Sequence, residues 1–149
     1  MKLINITPPV YLYTALLIML MLHFLVPLLR FINYPYTLYG ILPIVIGIVL
    51  NLTADSILKK YKTTVKPILD SEALITTGVY GTTRNPMYLG FILILLGVAI
   101  LLGSILPFVI TIFFMVFIYV VFIRFEEKKL ETKFVSKWID YKNNVRRWI

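Results

Sequence analysis

Two stretches of the sequence concentrate residue types that could do chemistry. The first, residues 76–90, combines glycines, threonine hydroxyls, the cation Arg84 and a proline at position 86. The second contains Arg124 and the adjacent acids Glu126 and Glu127.

The first stretch is suited to holding a ligand close to the backbone. Gly78 and Gly81 permit backbone conformations with positive φ and a close ligand approach. Pro86 is typical of a first helical turn, where free N–H groups favour an anion such as a carboxylate. The alternative is an ordinary capped loop in which Arg84 reaches the lipid headgroups.

The two acids of the second stretch could bind ribose hydroxyls or an ammonium group. At a membrane boundary they would be partly desolvated, which strengthens such hydrogen bonds. The alternative is a solvated helix start that is stabilised by the helix dipole and, for Glu126, by Lys129 three positions on.

Other reactive groups are few. The sequence has no cysteine, which excludes disulfides, thiolate zinc sites and a cysteine nucleophile, and one histidine argues against a metal site built from His ligands. His23 lies within an apolar run, where an ionisable group is a functional candidate. A neutral histidine bonded to a neighbouring helix is the simpler interpretation.

The elements that carry these residues are predicted to be membrane helices. Of the 149 residues, 60% are hydrophobic and 15% charged, against about half and a quarter in soluble domains. A helix of about 20 apolar residues crosses the hydrocarbon core. The predicted fold is all-α and integral to the membrane, with four transmembrane helices at about residues 10–29, 38–54, 86–102 and 105–123, and with a loop at 55–85.

The last two helices come from one uncharged run, residues 85–123. As a single helix this run would be roughly 58 Å long, about twice the bilayer core. Gly103-Ser104, followed by Pro107, is typical of a turn. The run is therefore predicted to form a helical hairpin.

Basic residues predict the orientation. With four spans, 14 of the 15 lysines and arginines fall on one face and only Arg30 on the other. The positive-inside rule then predicts a protein of the cytoplasmic membrane, with both termini and the 55–85 loop cytoplasmic. The basic residues flank spans instead of forming a separate basic module, so nucleic acid is not an expected partner.

After the last span, apolar residues recur every three or four positions, with lysines on another stripe. This pattern predicts an amphipathic helix over residues 125–148, and on periodicity alone an interfacial anchor with tryptophans at headgroup depth. The apolar stripe comprises Leu130, Phe134, Trp138, Tyr141, Val145 and Trp148.

Three ordered blocks resemble the isoprenylcysteine carboxyl methyltransferase and phospholipid methyltransferase superfamily, in the form of its small prokaryotic members. The likeness extends from about Lys62 to Trp148, and residues 63–67 and 74–77 also contribute to it. The blocks are Gly78-Val79-Tyr80, Arg84-Asn85-Pro86-Met87-Tyr88-Leu89-Gly90, and Glu126-Glu127 with Leu130, Phe134, Tyr141 and Val145.

This resemblance implies a membrane enzyme that uses S-adenosylmethionine, forms S-adenosylhomocysteine and methylates a lipidic acceptor that enters from the bilayer. By the same resemblance Arg84 and Glu127 are the catalytic residues, and Arg84, Trp138 and Tyr141 contact the acceptor. The implied cofactor-binding residues are Gly78, Tyr80, Asn85, Pro86, Tyr88, Leu89, Glu126 and Glu127.

The chain departs from the family pattern at two of these positions. Asn85 replaces the histidine of the carboxyl methyltransferases, and Trp138 stands where the pattern has a tyrosine. The acceptor is therefore left open between an isoprenylcysteine-type carboxylate and a phospholipid-type amine, and the oligomeric state is not predicted. The alternatives are an NADPH-dependent membrane reductase of the sterol-reductase type and a non-catalytic lipid-binding membrane protein.

Overall fold

The computed structural model describes residues 7–26, 30–61 and 74–148. Residues 27–29 of the predicted first span, residues 62–73 of the predicted loop, and the basic residues Lys2, Lys62 and Lys66 lie outside this part. The helices are α1 (Pro8–Leu25), α2 (Ile41–Lys60), α3 (Pro86–Leu102), α4 (Ile105–Ile118) and α5 (Arg124–Asn144), with 3-10 turns at Tyr36–Gly40 and Gly78–Gly81.

Three helical segments of the described chain are long and apolar enough to cross a membrane: Pro8–Leu25, Tyr36–Lys60 and Ile105–Asn144. Pro86–Leu102 is also apolar but is shorter, with 17 residues. The described part of the chain is therefore helical, with three to four long apolar helices, as expected of a membrane protein.

The hairpin between α3 and α4 turns at Gly103-Ser104, as the sequence predicts. Gly103 ends α3 with φ 68°, a left-handed conformation that glycine adopts without steric cost. A Cβ atom there would lie 2.3 Å from the Ile32 carbonyl oxygen. The turn therefore needs glycine both for its backbone angle and for its packing.

α2 and the 3-10 turn that precedes it pack along α3 through glycines that face each other in two places. A Cβ atom on Gly47 would lie 2.6 Å from the Gly90 carbonyl oxygen, and one on Gly97 would lie 2.4 Å from that of Gly40. Small residues let membrane helices approach until their backbones touch. This contact fixes α3, which directly follows residues 74–85, the segment that we call the Arg84 loop.

The buried core lies between α1, α3 and α4. Met19, Leu95, Ile118 and Phe122 are fully buried. Large apolar side chains elsewhere face outward, among them Leu52 on α2. Lipid contact accounts for this exposure in a membrane protein.

His23 on α1 is bonded to the neighbouring hairpin, which matches the simpler interpretation of this residue. Its Nδ1 lies 2.7 Å from Ser104 Oγ, and Arg30 Nη2 lies 3.3 Å from its Nε2. A guanidinium only donates, so Nε2 accepts and the Nδ1–H of the neutral ring donates to Ser104. The bond ties α1 to the hairpin at the end of the bundle opposite to the Arg84 loop.

The predicted boundaries need three corrections. α1 ends at Leu25, so Val26 of the predicted first span is not helical. α2 continues to Lys60, so residues 55–60 are helical and not part of a loop. The predicted tail helix ends at Asn144 and not at 148, because Val145 adopts an extended conformation.

The tail helix also differs in its course. It follows α4 without a break, through a π turn at Tyr119–Ile123, and its helical geometry is interrupted at Val135, where φ is 37°. A π turn shifts the phase of the helical face that follows it. Beyond the interruption, Trp138 and Tyr141 are buried in the protein.

Candidate active site

Backbone hydrogen bonds shape the loop before α3. Gly78 has φ 63° and begins a 3-10 turn, and the Val79 carbonyl accepts the N–H groups of Thr82 and Thr83. Asn85 precedes Pro86, the first residue of α3. Proline is favoured there because that position needs no N–H donor. The loop thus ends with Arg84 directly at the start of the helix.

The segment after α5, residues 145–148, returns to this loop. The carbonyl of Arg146 accepts the backbone N–H of Arg84 at 3.0 Å. The carbonyl of Arg147 accepts Thr83 Oγ1 at 2.9 Å and Asn85 Nδ2 at 3.4 Å. These bonds join two segments that lie some sixty residues apart, and we call residues 145–148 the tail strap.

Glu127 lies between two arginines. Arg147 donates to both carboxylate oxygens, Nε to Oε1 at 3.0 Å and Nη2 to Oε2 at 2.7 Å. Arg84 Nη2 lies 3.6 Å from Oε1, an ion-pair distance but longer than a hydrogen bond. Hydrogen bonding to Glu127 raises the pKa of Arg147 further above its ordinary value. Glu127 therefore has its main hydrogen-bond partner in the tail strap.

Arg84 has unused hydrogen-bonding capacity although its side chain is only 8% exposed. Its Nε and Nη1 atoms are buried and have no hydrogen-bond partner among the described residues, and neither has Trp138 Nε1. The Arg84 guanidinium lies over the Trp138 ring, 5.7 Å from its centre. Buried donors without partners are costly, so this arrangement is suited to an acceptor atom supplied by a ligand.

Glu126 faces α3. Its Oε1 accepts the Tyr88 hydroxyl at 2.6 Å. Burial raises the pKa of Glu126 from 4.5 to about 7, opposed by the Tyr88 hydrogen bond and assisted by the negative charge of Glu127. Glu126 can therefore gain or lose a proton near neutral pH, as a general base or acid does.

Two tyrosines of the candidate site, Tyr141 and Tyr80, are hydrogen-bonded to each other. The Tyr141 hydroxyl donates to the Tyr80 carbonyl at 2.6 Å. Burial raises the pKa of Tyr141 to about 12, and burial with the nearby charge of Glu126 raises the pKa of Tyr80 well above its ordinary value. Both phenols are therefore neutral hydrogen-bonding groups at physiological pH.

Most of the residues that sequence reasoning proposed for the site lie within one network of contacts. Two of the proposed residues lie beside this network: Gly78 lies against Ile57 of α2, and Leu89 lies in the first turn of α3, where its backbone N–H donates to the Asn85 carbonyl. The network contains Tyr80, Arg84, Asn85, Tyr88, Glu126, Glu127, Trp138 and Tyr141, and buried Pro86 starts the helix beside it.

Sequence reasoning missed Arg147 and Thr83. The charge of Arg147 counted only toward membrane orientation, and Thr83 was one hydroxyl among several in the loop. No periodic pattern links either residue to the site, because neither the tail strap nor the turn that contains Thr83 is part of an α-helix.

A family model described as "Phospholipid methyltransferase" matches residues 35–137. The chain belongs to this family. The match covers α2, α3, α4 and most of α5, and so the Arg84 loop and both glutamates. The tail strap lies beyond the matched residues.

The chain is also similar to the protein-S-isoprenylcysteine O-methyltransferase of Saccharomyces cerevisiae, with 43% identity over 72 residues. The alignment covers 48% of this chain and 30% of the yeast protein, so the chain matches less than a third of that relative's length. No solved structure matches the chain significantly.

Proposed function

We propose that this chain is a membrane methyltransferase that uses S-adenosylmethionine and transfers its methyl group to a lipidic acceptor. The observation that carries the proposal is the meeting of Arg84 and Glu127, 3.6 Å apart, from segments on either side of the helical hairpin. The family match supports the reaction class, because the phospholipid methyltransferase model covers both segments.

The residues present fit the cofactor. S-adenosylmethionine has ribose hydroxyls, an ammonium group and a carboxylate. Because a carboxylate can accept about four hydrogen bonds, Glu126 and Glu127 can accept from the first two in addition to Tyr88 and Arg147, and Asn85 and the N–H groups at the start of α3 supply donors for the third. The bound cofactor supplies an electrophilic methyl group on a sulfonium. We assign Gly78, Tyr80, Pro86, Tyr88 and Leu89 to the walls of the same pocket.

Arg84 is assigned to the acceptor, because its buried Nε and Nη1 atoms have no partner among the described residues. A carboxylate acceptor is already a nucleophile, and Arg84 would hold one oxygen while the other attacks. An amine acceptor has to be neutral first, and Glu126, with a pKa of about 7, is suited to take its proton. We also assign acceptor contacts to Trp138, whose ring lies against the Arg84 guanidinium, and to Tyr141, whose ring contacts Trp138.

The membrane placement completes the proposal. We assign four spans to the helices, which puts the site at the cytoplasmic face of the cytoplasmic membrane with both termini on that side. The lipid chain of the acceptor would lie among the apolar helices, where burial of each methylene contributes about 0.8 kcal/mol.

The test is methyl transfer from labelled S-adenosylmethionine in nanodiscs, with S-farnesylcysteine, phosphatidylethanolamine and a total lipid extract as acceptors. Arg84→Ala should lower turnover at least about 100-fold while affinity for S-adenosylhomocysteine is retained, because oriented binding of the acceptor supplies much of the rate. Glu127→Ala should instead weaken affinity for S-adenosylhomocysteine.

Arg124→Ala is the matched control, since Arg124 is exposed at the start of α5. It should keep wild-type turnover. Wild-type turnover by a correctly folded Arg84→Ala variant would contradict the role assigned to Arg84.

A further inference from the structure

The tail strap brings a second arginine to a carboxylate that already has one nearby. Arg147 occupies both oxygens of Glu127, at 3.0 and 2.7 Å. Arg84 approaches the same carboxylate only to 3.6 Å and keeps two buried donors unpaired. The carboxylate is thus shared unequally, with the closer bonds going to the more exposed arginine: the Arg147 side chain is 32% exposed and that of Arg84 8%.

If Arg147 were removed, Arg84 and Glu127 would not stay 3.6 Å apart. The Glu127 side chain is 13% exposed, so its carboxylate would lose its main partner in a poorly hydrated place. Arg84 also has donors without partners, and its guanidinium lies within ion-pair distance of the Glu127 carboxylate. Unpaired buried charges are strongly unfavourable, so the two side chains would close into a direct pair.

Arg147 is held in place by contacts of both its backbone and its side chain. Its carbonyl accepts Thr83 and Asn85, and its guanidinium lies 5.0 Å from the centre of the Tyr119 ring. The preceding carbonyl, of Arg146, accepts the backbone N–H of Arg84. The same segment therefore anchors the backbone of Arg84 and holds the carboxylate that would otherwise occupy its side chain.

We propose that Arg147 is a positioning residue that holds Glu127 away from Arg84 and so keeps two donors of Arg84 free for an anionic group of a ligand. That the ligand is a methyl acceptor rests on the proposed function. The positioning itself does not, because it concerns only contacts within this chain.

The first test is NMR of the arginine Nε–H groups in nanodiscs, with Arg84 assigned from the signal that Arg84→Lys removes. In Arg147→Ala the Arg84 Nε–H should shift downfield as Glu127 becomes its partner. The double variant Arg147→Ala/Glu127→Gln should reverse the shift, because the competing carboxylate is gone. An Arg84 signal that does not move in Arg147→Ala would overturn the proposal.

The second test is the split between KM and kcat for S-farnesylcysteine. In Arg147→Ala the acceptor must displace Glu127 from Arg84, so KM should rise about tenfold or more while kcat stays within about threefold. A purely structural role would instead lower kcat with the folded fraction and leave KM unchanged, and that result would also overturn the proposal.

Arg147→Lys keeps the charge but cannot bond both oxygens, so it should give an intermediate KM. It also serves if Arg147→Ala folds poorly, and a KM equal to that of wild type would count against the need for a bidentate contact. If wild-type protein methylates none of the acceptors, the proposed function fails, and the NMR shift still decides the role of Arg147.

Discussion

The raised pKa of Glu126 predicts a specific dependence of stability on pH. Burial raises this pKa from 4.5 to about 7. The folded protein therefore holds the proton more tightly than the unfolded chain does. The contribution to stability is fully present below about pH 4.5 and is lost as the pH rises through about 7. The pKa of Glu126 differs by about 2.5 between the folded and unfolded states, and at about 1.36 kcal/mol per pKa unit this difference corresponds to about 3 kcal/mol of unfolding free energy.

Glu126→Gln should remove this dependence while its amide oxygen still accepts the Tyr88 hydroxyl. Relative to wild type, the variant should gain about 3 kcal/mol of unfolding free energy between pH 4.5 and pH 8. For a chain of this size, this gain is a rise of roughly 6–12 °C in Tm relative to wild type.

The assay is thermal unfolding in one detergent across that pH range, with the two proteins compared at each pH so that other titrating groups cancel. Glu131→Gln is the matched control, because Glu131 lies on the same helix with its side chain 53% exposed. The control should follow wild type. Superimposable pH profiles for wild type and Glu126→Gln would show that the pKa of Glu126 is not raised in the folded protein.

Two further substitutions test the scaffold. Gly97→Ala should cost about 2 kcal/mol of unfolding free energy, because its Cβ would meet the Gly40 carbonyl oxygen at 2.4 Å. The control is Leu52→Ala on the exposed face of α2, which should change the Tm little. Equal Tm values for Gly97→Ala and wild type in thermal unfolding would contradict the close helix contact. Ser104→Ala should cost about 1–3 kcal/mol because the Nδ1–H of His23 loses its acceptor while Arg30 still donates to Nε2, with methyl transfer per folded molecule retained; unchanged stability would count against the Ser104 bond.

The helices were largely predictable because their signals are local. Pro86 and Gly103 bound α3, and both act through backbone geometry that sequence reveals directly. The end of α5 was not predictable, because the apolar periodicity continues through Val145 and Trp148 although the chain leaves the helix. There the hydrogen bonds of the tail strap replace those of a further helical turn.

The convergence of Arg84 and Glu127 could be proposed only from the family resemblance, because composition and periodicity do not show which segments meet. Arg147 illustrates the remaining gap. Its charge predicts orientation as well as any other arginine does, and only tertiary contacts distinguish it. The glycine contacts with α3 could not be predicted for the same reason. Gly40 and Gly47 allow close packing only because Gly97 and Gly90 lie opposite them, and the sequence does not show this pairing.

The proposed function requires the Arg84 loop and the start of α5 to bind a methyl donor together. Isothermal titration of the wild-type protein in nanodiscs with S-adenosylhomocysteine measures this binding, with NADPH as the comparison ligand. We expect micromolar affinity for S-adenosylhomocysteine, weakened by Glu127→Ala. Preference for NADPH, or no affinity for either nucleotide, would contradict it.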